Sequence, residues 1–461
     1  MPTHAYDYVR TRAEPFKDLL IELLRIPSIS TLPQHKEDVR RAAAWLVDYL
    51  ARVGFTSAQA LPTPGHPVVY GEWLGAGPQA PTVLVYGHYD VQPAALADGW
   101  DTDPFVPVER DGRIYARGAI DSKSNVLAQM FAAEALLKTG GAPVNIKLLF
   151  EGEEESSSEH LSAFIRANQE RLQADAVIIC DGSMADRHQP DIAYALRGVV
   201  SMELTVHGPA RDLHSGHYGG TVHNPIQALA EILAALHDAD GRVAVPGFYD
   251  DVLPLDDEER AELAKALPWM EAEWHEVAAA PRSWGEPGYN LHERIGARPT
   301  LEVNGIAGGF YGDGFKTVLP ARAWAKLSCR LVPNQTSQAI FERVGAYIQQ
   351  IAPPTVRVDF RLVSIGEPVL IDRRSPPVQA ALRAYERVWG KRPHFVREGG
   401  SVPVAVDLQR ELGAPLAFMA FGYKGCGAHG PNEHVYLDMW YRGMETMIAF
   451  YQEYAALFAA S

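Results

Sequence analysis

Residues 82–90 read TVLVYGHYD, residues 121–139 read DSKSNVLAQMFAAEALLKT, and residues 144–155 read VNIKLLFEGEEE. The first and third are short apolar runs that end in polar residues. The second carries Val126, Leu127, Met130, Phe131, Leu136 and Leu137 at helical spacing. Strand, helix and strand in that order build a parallel sheet, because parallel neighbours need a crossover and a helix usually supplies it.

The same alternation continues outward. Helical patterns cover 16–24, 39–53 and 159–170, and further apolar runs fall at 68–73 and 176–180. Near Val199 the style changes. A strand is expected at 200–206, a helix at 225–237, strands at 300–303 and 323–331, a helix at 337–351 and a strand at 356–363. This β-α-β-β-α-β order is ferredoxin-like. The stretch before residue 300 reads as irregular, with Trp269, Trp274 and Trp284 expected to pack into a core or lid. After Glu367-Pro368 the first style returns, with a helix at 377–389, a buried strand at 416–421 and a closing helix at 439–456. The expectation is a discontinuous α/β domain of residues 1–198 and 369–461, interrupted by an α+β domain of residues 199–368.

The chain has 461 residues, 47% hydrophobic and 21% charged, as in ordinary globular domains. With 57 acidic against 42 basic residues the net charge is -15, which argues against nucleic acid or an anionic membrane as partner. No apolar run of about eighteen residues suggests a membrane span. The N-terminus has no apolar signal-peptide core. Cys180, Cys329 and Cys426 form no C-x-x-C pair, so a reducing, cytoplasmic location is expected.

Ligands in open α/β sheets bind beyond the carboxyl ends of the strands. Run 82–86 leads to His88 and Asp90, run 144–150 to Glu151 and Glu153–Glu155, run 176–180 to Asp181, and run 416–421 to His429; Asp121 precedes the 123–139 helix. Taken singly these are ordinary: Asp121 fits a helix N-cap, Asp181-Gly a turn, the glutamates a solvated loop. Together they place imidazoles and carboxylates on one edge, a donor set suited to zinc, manganese or cobalt. The glycines at 75–80 make no dinucleotide turn, and neither HExxH nor GxSxG occurs.

The blocks GHYDVQP, RGAIDSKSN, EGEEES, ICDGS, RDLHSG, CRLVPN, REGGSVP and GAHGPNE occur in that order over nearly the whole chain. As a set they resemble the co-catalytic zinc metallopeptidases that include cytosolic non-specific dipeptidases, carnosinases, aminoacylases and desuccinylases. RDLHSGHYGG and REGGSVPV resemble the dipeptidase branch. The resemblance implies an aminopeptidase-like, mostly parallel α/β metal domain, with the inserted ferredoxin-like domain as lid and homodimer contact. It implies two divalent ions per subunit: Asp121 bridging, His88 and Asp181 at one ion, Glu155 and His429 at the other. Glu154 would be the general base and Asp90 the partner orienting His88. His214 would reach a neighbouring subunit's site and hold the oxyanion, Arg330 would pair with a substrate carboxylate, and Thr317, Gly400 and Ser401 would line the pocket. The resemblance also implies a cis peptide at Asp121–Ser122.

The sequence departs from the family pattern at Ser122, Ser124 and Ser157, and three successive glutamates leave a Glu153/Glu154 register open for base and ligand. The implied chemistry is coherent. Two cations about 3.5–4 Å apart share and acidify a water, and a carboxylate off the metal carries its proton to the leaving amine. Hydrolysis of dipeptides or very short peptides is the expected activity. The alternatives are an N-acyl-amino-acid amidohydrolase with the same metals and a metal-bearing binding protein without catalysis; a spare base at Glu154 speaks against the latter.

Overall fold

A computed structural model describes residues 2–400 and 402–459 of the chain. The backbone forms two compact units. One comprises Met1–Tyr194, Ile371–Phe395 and Val404–Ser461, the other Ala195–Leu370 and Val396–Pro403.

The larger unit is built on six strands in the order Gln59–Leu61, Val68–Trp73, Asn145–Glu151, Thr82–His88, Ala176–Ile179, Leu416–Phe418. The last four are mutually parallel and the first two antiparallel. The 82–88 strand is paired on both sides, from Thr82↔Asn145 to His88↔Glu151 and from Val83↔Ala176 to Tyr86↔Ile179. A parallel strand covered on both faces needs apolar residues at every position, and Asn145–Glu151 is buried throughout. Because these strands point one way, His88, Glu151 and the residues after Ile179 and Phe418 emerge along one edge.

Helix Lys123–Lys138 buries every side chain from Lys123 to Leu136. A helix apolar all round belongs inside, and this one contacts helices Pro2–Thr11, Ala13–Leu24 and Leu437–Phe458 as well as the central strand. Phe131 stacks on Phe16 at 4.1 Å between ring centres and meets Tyr49 and Trp440 edge-on at 5.5 and 5.9 Å. Its two charged residues at the buried positions are matched. Lys123 Nζ donates to the Leu23 and Ile26 carbonyls at 3.2 and 2.6 Å, serving the open C-terminal end of helix Ala13–Leu24. Glu134 accepts from the hydroxyls of Tyr8 and Tyr49.

The smaller unit holds an antiparallel sheet ordered Thr300–Gly308, Arg322–Leu331, Gly198–His207, Arg357–Gly366. With helices Pro225–Ala235 and Ser337–Ile351 this is the ferredoxin-like arrangement. Val200, Met202, Leu204 and Val206 alternate into a core shared with Leu229, Ile232, Ile340 and Val344. The stretch read as irregular contains a 21-residue helix, Asp257–Val277, capped by Asp256, whose side chain accepts from Glu259 N at 2.7 Å. Its polar character and internal Pro268 hide it from a periodicity reading. The tryptophans there are not core: Trp269 and Trp274 are half-buried and Trp284 is 76% exposed. Residues 396–403, expected with the larger domain, group with the smaller unit, where Arg397 pairs with buried Glu259 and Arg197 Nε donates to Gly399 O at 3.2 Å. No helix among the described residues is long and apolar enough to cross a membrane.

Phe131→Ala empties the centre of the larger unit. It should lower that unit's unfolding free energy by about 3–5 kcal/mol in urea titrations, whereas Val277→Ala, on an exposed helix end, should change stability by less than about 0.5 kcal/mol.

Candidate metal centre

His88 ends the central strand and is fully buried. Its Nδ1 lies 3.1 Å from the Asp90 carbonyl oxygen and 3.4 Å from Asp90 Oδ1, so Nε2 faces outward from the strand end. Asp121 arrives on the loop before helix Lys123–Lys138. That loop turns at Gly118, whose φ of +83° and 2.7 Å approach of an added Cβ to Val91 leave no room for a side chain. The Asp121–Ser122 peptide is cis. Ser122, not Asp121, holds the cap position of the helix, and the Asp121 carboxylate turns toward the histidines.

The Asp121 carboxylate divides its oxygens. Oδ1 is 3.0 Å from His88 Nε2 and Oδ2 is 3.0 Å from His429 Nε2. Asp181 Oδ1 stands 3.6 Å from His88 Nε2, and Glu155 Oε2 stands 3.3 Å from His429 Nε2. Two groups result, His88–Asp121–Asp181 and Asp121–Glu155–His429, each with donor atoms within 4.8 Å of one another. Glu154 belongs to neither.

The electrostatics follow from crowding carboxylates at a partly desolvated edge. Burial opposes charge on Asp121, but hydrogen bonds to His429 and His88 outweigh it and hold its carboxyl well below the usual range. Burial likewise opposes charge on His88, and the surrounding aspartates override it and raise the imidazole well above its ordinary value. Asp121 and Glu155 push His429 up to about 10, while burial drives Glu154 up to about 8. Glu155 Oε1 is buried with no hydrogen-bond partner among the described residues. An orphaned carboxylate oxygen, nitrogen and oxygen donors only, and one carboxylate shared by two groups fit divalent cations.

The acidic turn Glu154–Ser156 is fixed from both sides. Asp90 accepts from Glu154 N at 3.2 Å and from Glu155 N at 3.0 Å, so one carboxylate both faces His88 and anchors the turn. Glu153 points elsewhere: it accepts from His66 N at 3.0 Å and meets His160 Nδ1 at 3.0 Å. Its carboxylate occupies the space a side chain at Gly65 would need. Glu155, not Glu154, stands beside His429, with Glu153 turned away from both ligand groups.

Three contributors have no role in the sequence reading. Gln92 Nε2 donates to Glu155 Oε2 at 2.7 Å. Buried Glu433 accepts from Gly118 N, Ile120 N and Asp121 N at 3.1, 2.8 and 3.0 Å. Arg117 pairs with Glu433 at 2.6 Å and donates to the His429 carbonyl at 3.1 Å. Both residues sit inside the quoted RGAID and GPNE blocks, but their partners are mostly main-chain atoms, which a sequence does not display.

The remaining expected residues lie in the smaller unit. His214 is exposed in a two-residue strand paired with Val318–Leu319, and its Nδ1 accepts from Gly216 N at 3.0 Å. Thr317 adjoins it, its carbonyl accepting from Ser215 N at 3.2 Å. Arg330 lies on the 322–331 strand opposite Val199, and the Gly400 carbonyl accepts from Arg197 N at 3.2 Å. Ser401 lies outside the described residues.

A mostly parallel sheet that converges two imidazoles and several carboxylates on one edge, with a ferredoxin-like unit inserted in the chain, defines a metal-dependent hydrolase. Residues 84–453 match the family model for peptidase family M20/M25/M40, and the chain belongs to that family of metallopeptidases, hydrolases of peptide bonds. It is 34% identical to a Cys-Gly metallodipeptidase of Schizosaccharomyces pombe over 98% of both chains. It is 31% identical to the human Beta-Ala-His dipeptidase over 98% of this chain and 92% of that one. Among solved structures, an M20 family metallo-carboxypeptidase of Sulfolobus solfataricus superimposes with a TM-score of 0.83 at 32% identity, covering 96% of this chain and 99% of that one.

Asp90→Asn leaves one acceptor where two amides now bind. It should weaken divalent-metal affinity about 10–100-fold, read by competition against a chromophoric chelator.

Proposed function

We propose that the protein is a dipeptidase carrying two divalent ions, zinc first, with manganese or cobalt as alternatives. The observation that carries this reading is the shared Asp121 carboxylate, with one oxygen toward each ligand group and Glu154 alongside in neither. His88 and Asp181 would hold one ion, Glu155 and His429 the other, and Asp121 both. The dipeptide class is supported by relatives whose names specify Cys-Gly and Beta-Ala-His substrates. The three buried, unpaired cysteines support a cytoplasmic location.

When bound, the ions supply Lewis acidity, polarising the scissile carbonyl and acidifying a water. Glu154 takes a proton from the attacking water onto a carboxylate oxygen and delivers it to the amide nitrogen as the C–N bond breaks. Asp90 keeps the turn carrying Glu154 in register with His88. His214 accepts the Gly216 amide at Nδ1, so its neutral ring carries hydrogen on Nε2, the donor a developing oxyanion needs. Arg330, with a planar fork of donors, binds the substrate's terminal carboxylate, and Thr317, Gly400 and Ser401 complete the pocket. The smaller unit serves as lid and homodimer surface, and His214 acts in the partner's site.

The test is a panel of dipeptides, tripeptides, longer peptides and N-acyl amino acids, run with metal analysis. Dipeptides should be cleaved fastest by protein holding two ions per chain; preference for acyl amino acids, or for longer peptides trimmed from the carboxyl end, overturns the substrate assignment. Glu154→Gln should keep both ions and lose about 10²–10⁴ in kcat, whereas Glu155→Gln should lose metal. The reverse pattern would exchange the two roles.

His214→Ala should lose about 10²–10³ in kcat. In a heterodimer with a Glu154→Gln chain it should recover up to about half of the activity of a wild-type dimer, because one of the two sites is then whole. No recovery after verified subunit exchange would place His214 in its own chain's site or in none.

A further inference from the structure

The two ligand loops are far apart in sequence yet share one buried ion pair. Glu433 is fully buried and Arg117 is 3% exposed. Glu433 divides its carboxylate: Oε1 receives the amides of Ile120 and Asp121, and Oε2 receives the amide of Gly118 together with Arg117 Nη1. Arg117 divides its guanidinium in turn, with Nη1 on Glu433 and Nη2 on the His429 carbonyl. His429 itself sits at φ 61°, a left-handed conformation that a non-glycine residue adopts only when its surroundings hold it there.

We infer that Arg117 and Glu433 are a pair of positioning residues that set Asp121 and His429 relative to each other, and so fix the metal affinity of the Asp121–Glu155–His429 group. The inference rests on the two-ion reading proposed above. Its chain of contacts is short. Glu433 holds the peptide of Asp121, Arg117 holds the peptide of His429, and a charge-assisted bond joins the two. Neither side chain enters the ligand groups, so both act through other residues. The two positions are also not equivalent. Glu433 grips the loop that serves both ions, whereas Arg117 reaches the loop that serves one.

That asymmetry provides the test. Arg117→Lys keeps a cation beside Glu433 but lacks the fork that spans both acceptors. Glu433→Gln keeps the shape but replaces one accepting oxygen by a donor facing other donors. Both variants and the wild type are prepared metal-free and examined by hydrogen exchange with mass spectrometry, then titrated with Zn²⁺ against a chelator. Arg117→Lys should speed exchange across 427–431, leave 118–121 protected, and weaken one of the two zinc sites about 10–100-fold. Glu433→Gln should speed exchange in both segments and weaken both sites.

Unchanged exchange and wild-type affinity at both sites in the two variants would overturn the inference. So would equal weakening of both sites by Arg117→Lys, or its failure to fold, since the pair would then support the fold rather than the ligands. If Glu433→Gln does not fold, Arg117→Lys decides alone. Wild-type protein binding fewer than two ions would refute the metal reading, and the exchange pattern of the metal-free proteins would still judge the coupling of the loops.

Discussion

Asp121 offers one carboxylate oxygen to each of two imidazoles at the same 3.0 Å, and the surrounding architecture serves that division. Asp90, Glu154, Glu155 and Asp181 crowd the same edge, and carboxylates packed together away from water repel one another and lose solvation. The chain answers with main-chain amides and two imidazoles. Asp90 binds the acidic turn by its amides, and Glu433 binds the Asp121 loop by its amides. The Asp121 loop and the acidic turn are thus fixed largely through their backbone amides, and Glu155 Oε1 is left without a hydrogen-bond partner among the described residues.

Buried charge elsewhere in the larger unit follows the same habit. Lys123 is spent on two helix-end carbonyls, and Glu134 on two tyrosine hydroxyls. Each is matched in geometry, which is what makes a charge tolerable inside a protein, and removing one partner strands the other. These residues tie the helix that begins beside Asp121 to helices Pro2–Thr11, Ala13–Leu24 and Lys36–Val53, so the ligand loop leads into a helix anchored on three others.

Much of this was legible in the sequence because apolar runs ending in His, Asp or Glu mark strand ends directly. The 82–88 and 145–151 strands, the helix between them and the ferredoxin-like order after Val199 all show in period and spacing. Helix Asp257–Val277 did not, because it is polar on most of its surface and carries Pro268. The register of Glu153, Glu154 and Glu155 could not be read from three identical letters. It depends on His66 and His160 drawing Glu153 away, and that is a matter of packing. Arg117 and Glu433 were visible as letters but not as a pair, since their work is done on main-chain atoms.

The separation of those two residues has a consequence for how the protein is made. The Asp121 amide finds its acceptor 312 residues downstream. At ribosomal rates that distance takes on the order of 15–60 s to synthesise. During that interval the strand ends bearing His88, Asp121, Glu155 and Asp181 exist without His429 or the carboxylate that fixes their loop. The smaller unit is in the opposite position: the four strands of its main sheet all fall between Gly198 and Gly366, so that sheet can close before residues 429–433 are made. The edge that gathers these carboxylates and imidazoles is therefore completed only after residues 429–433 have been synthesised.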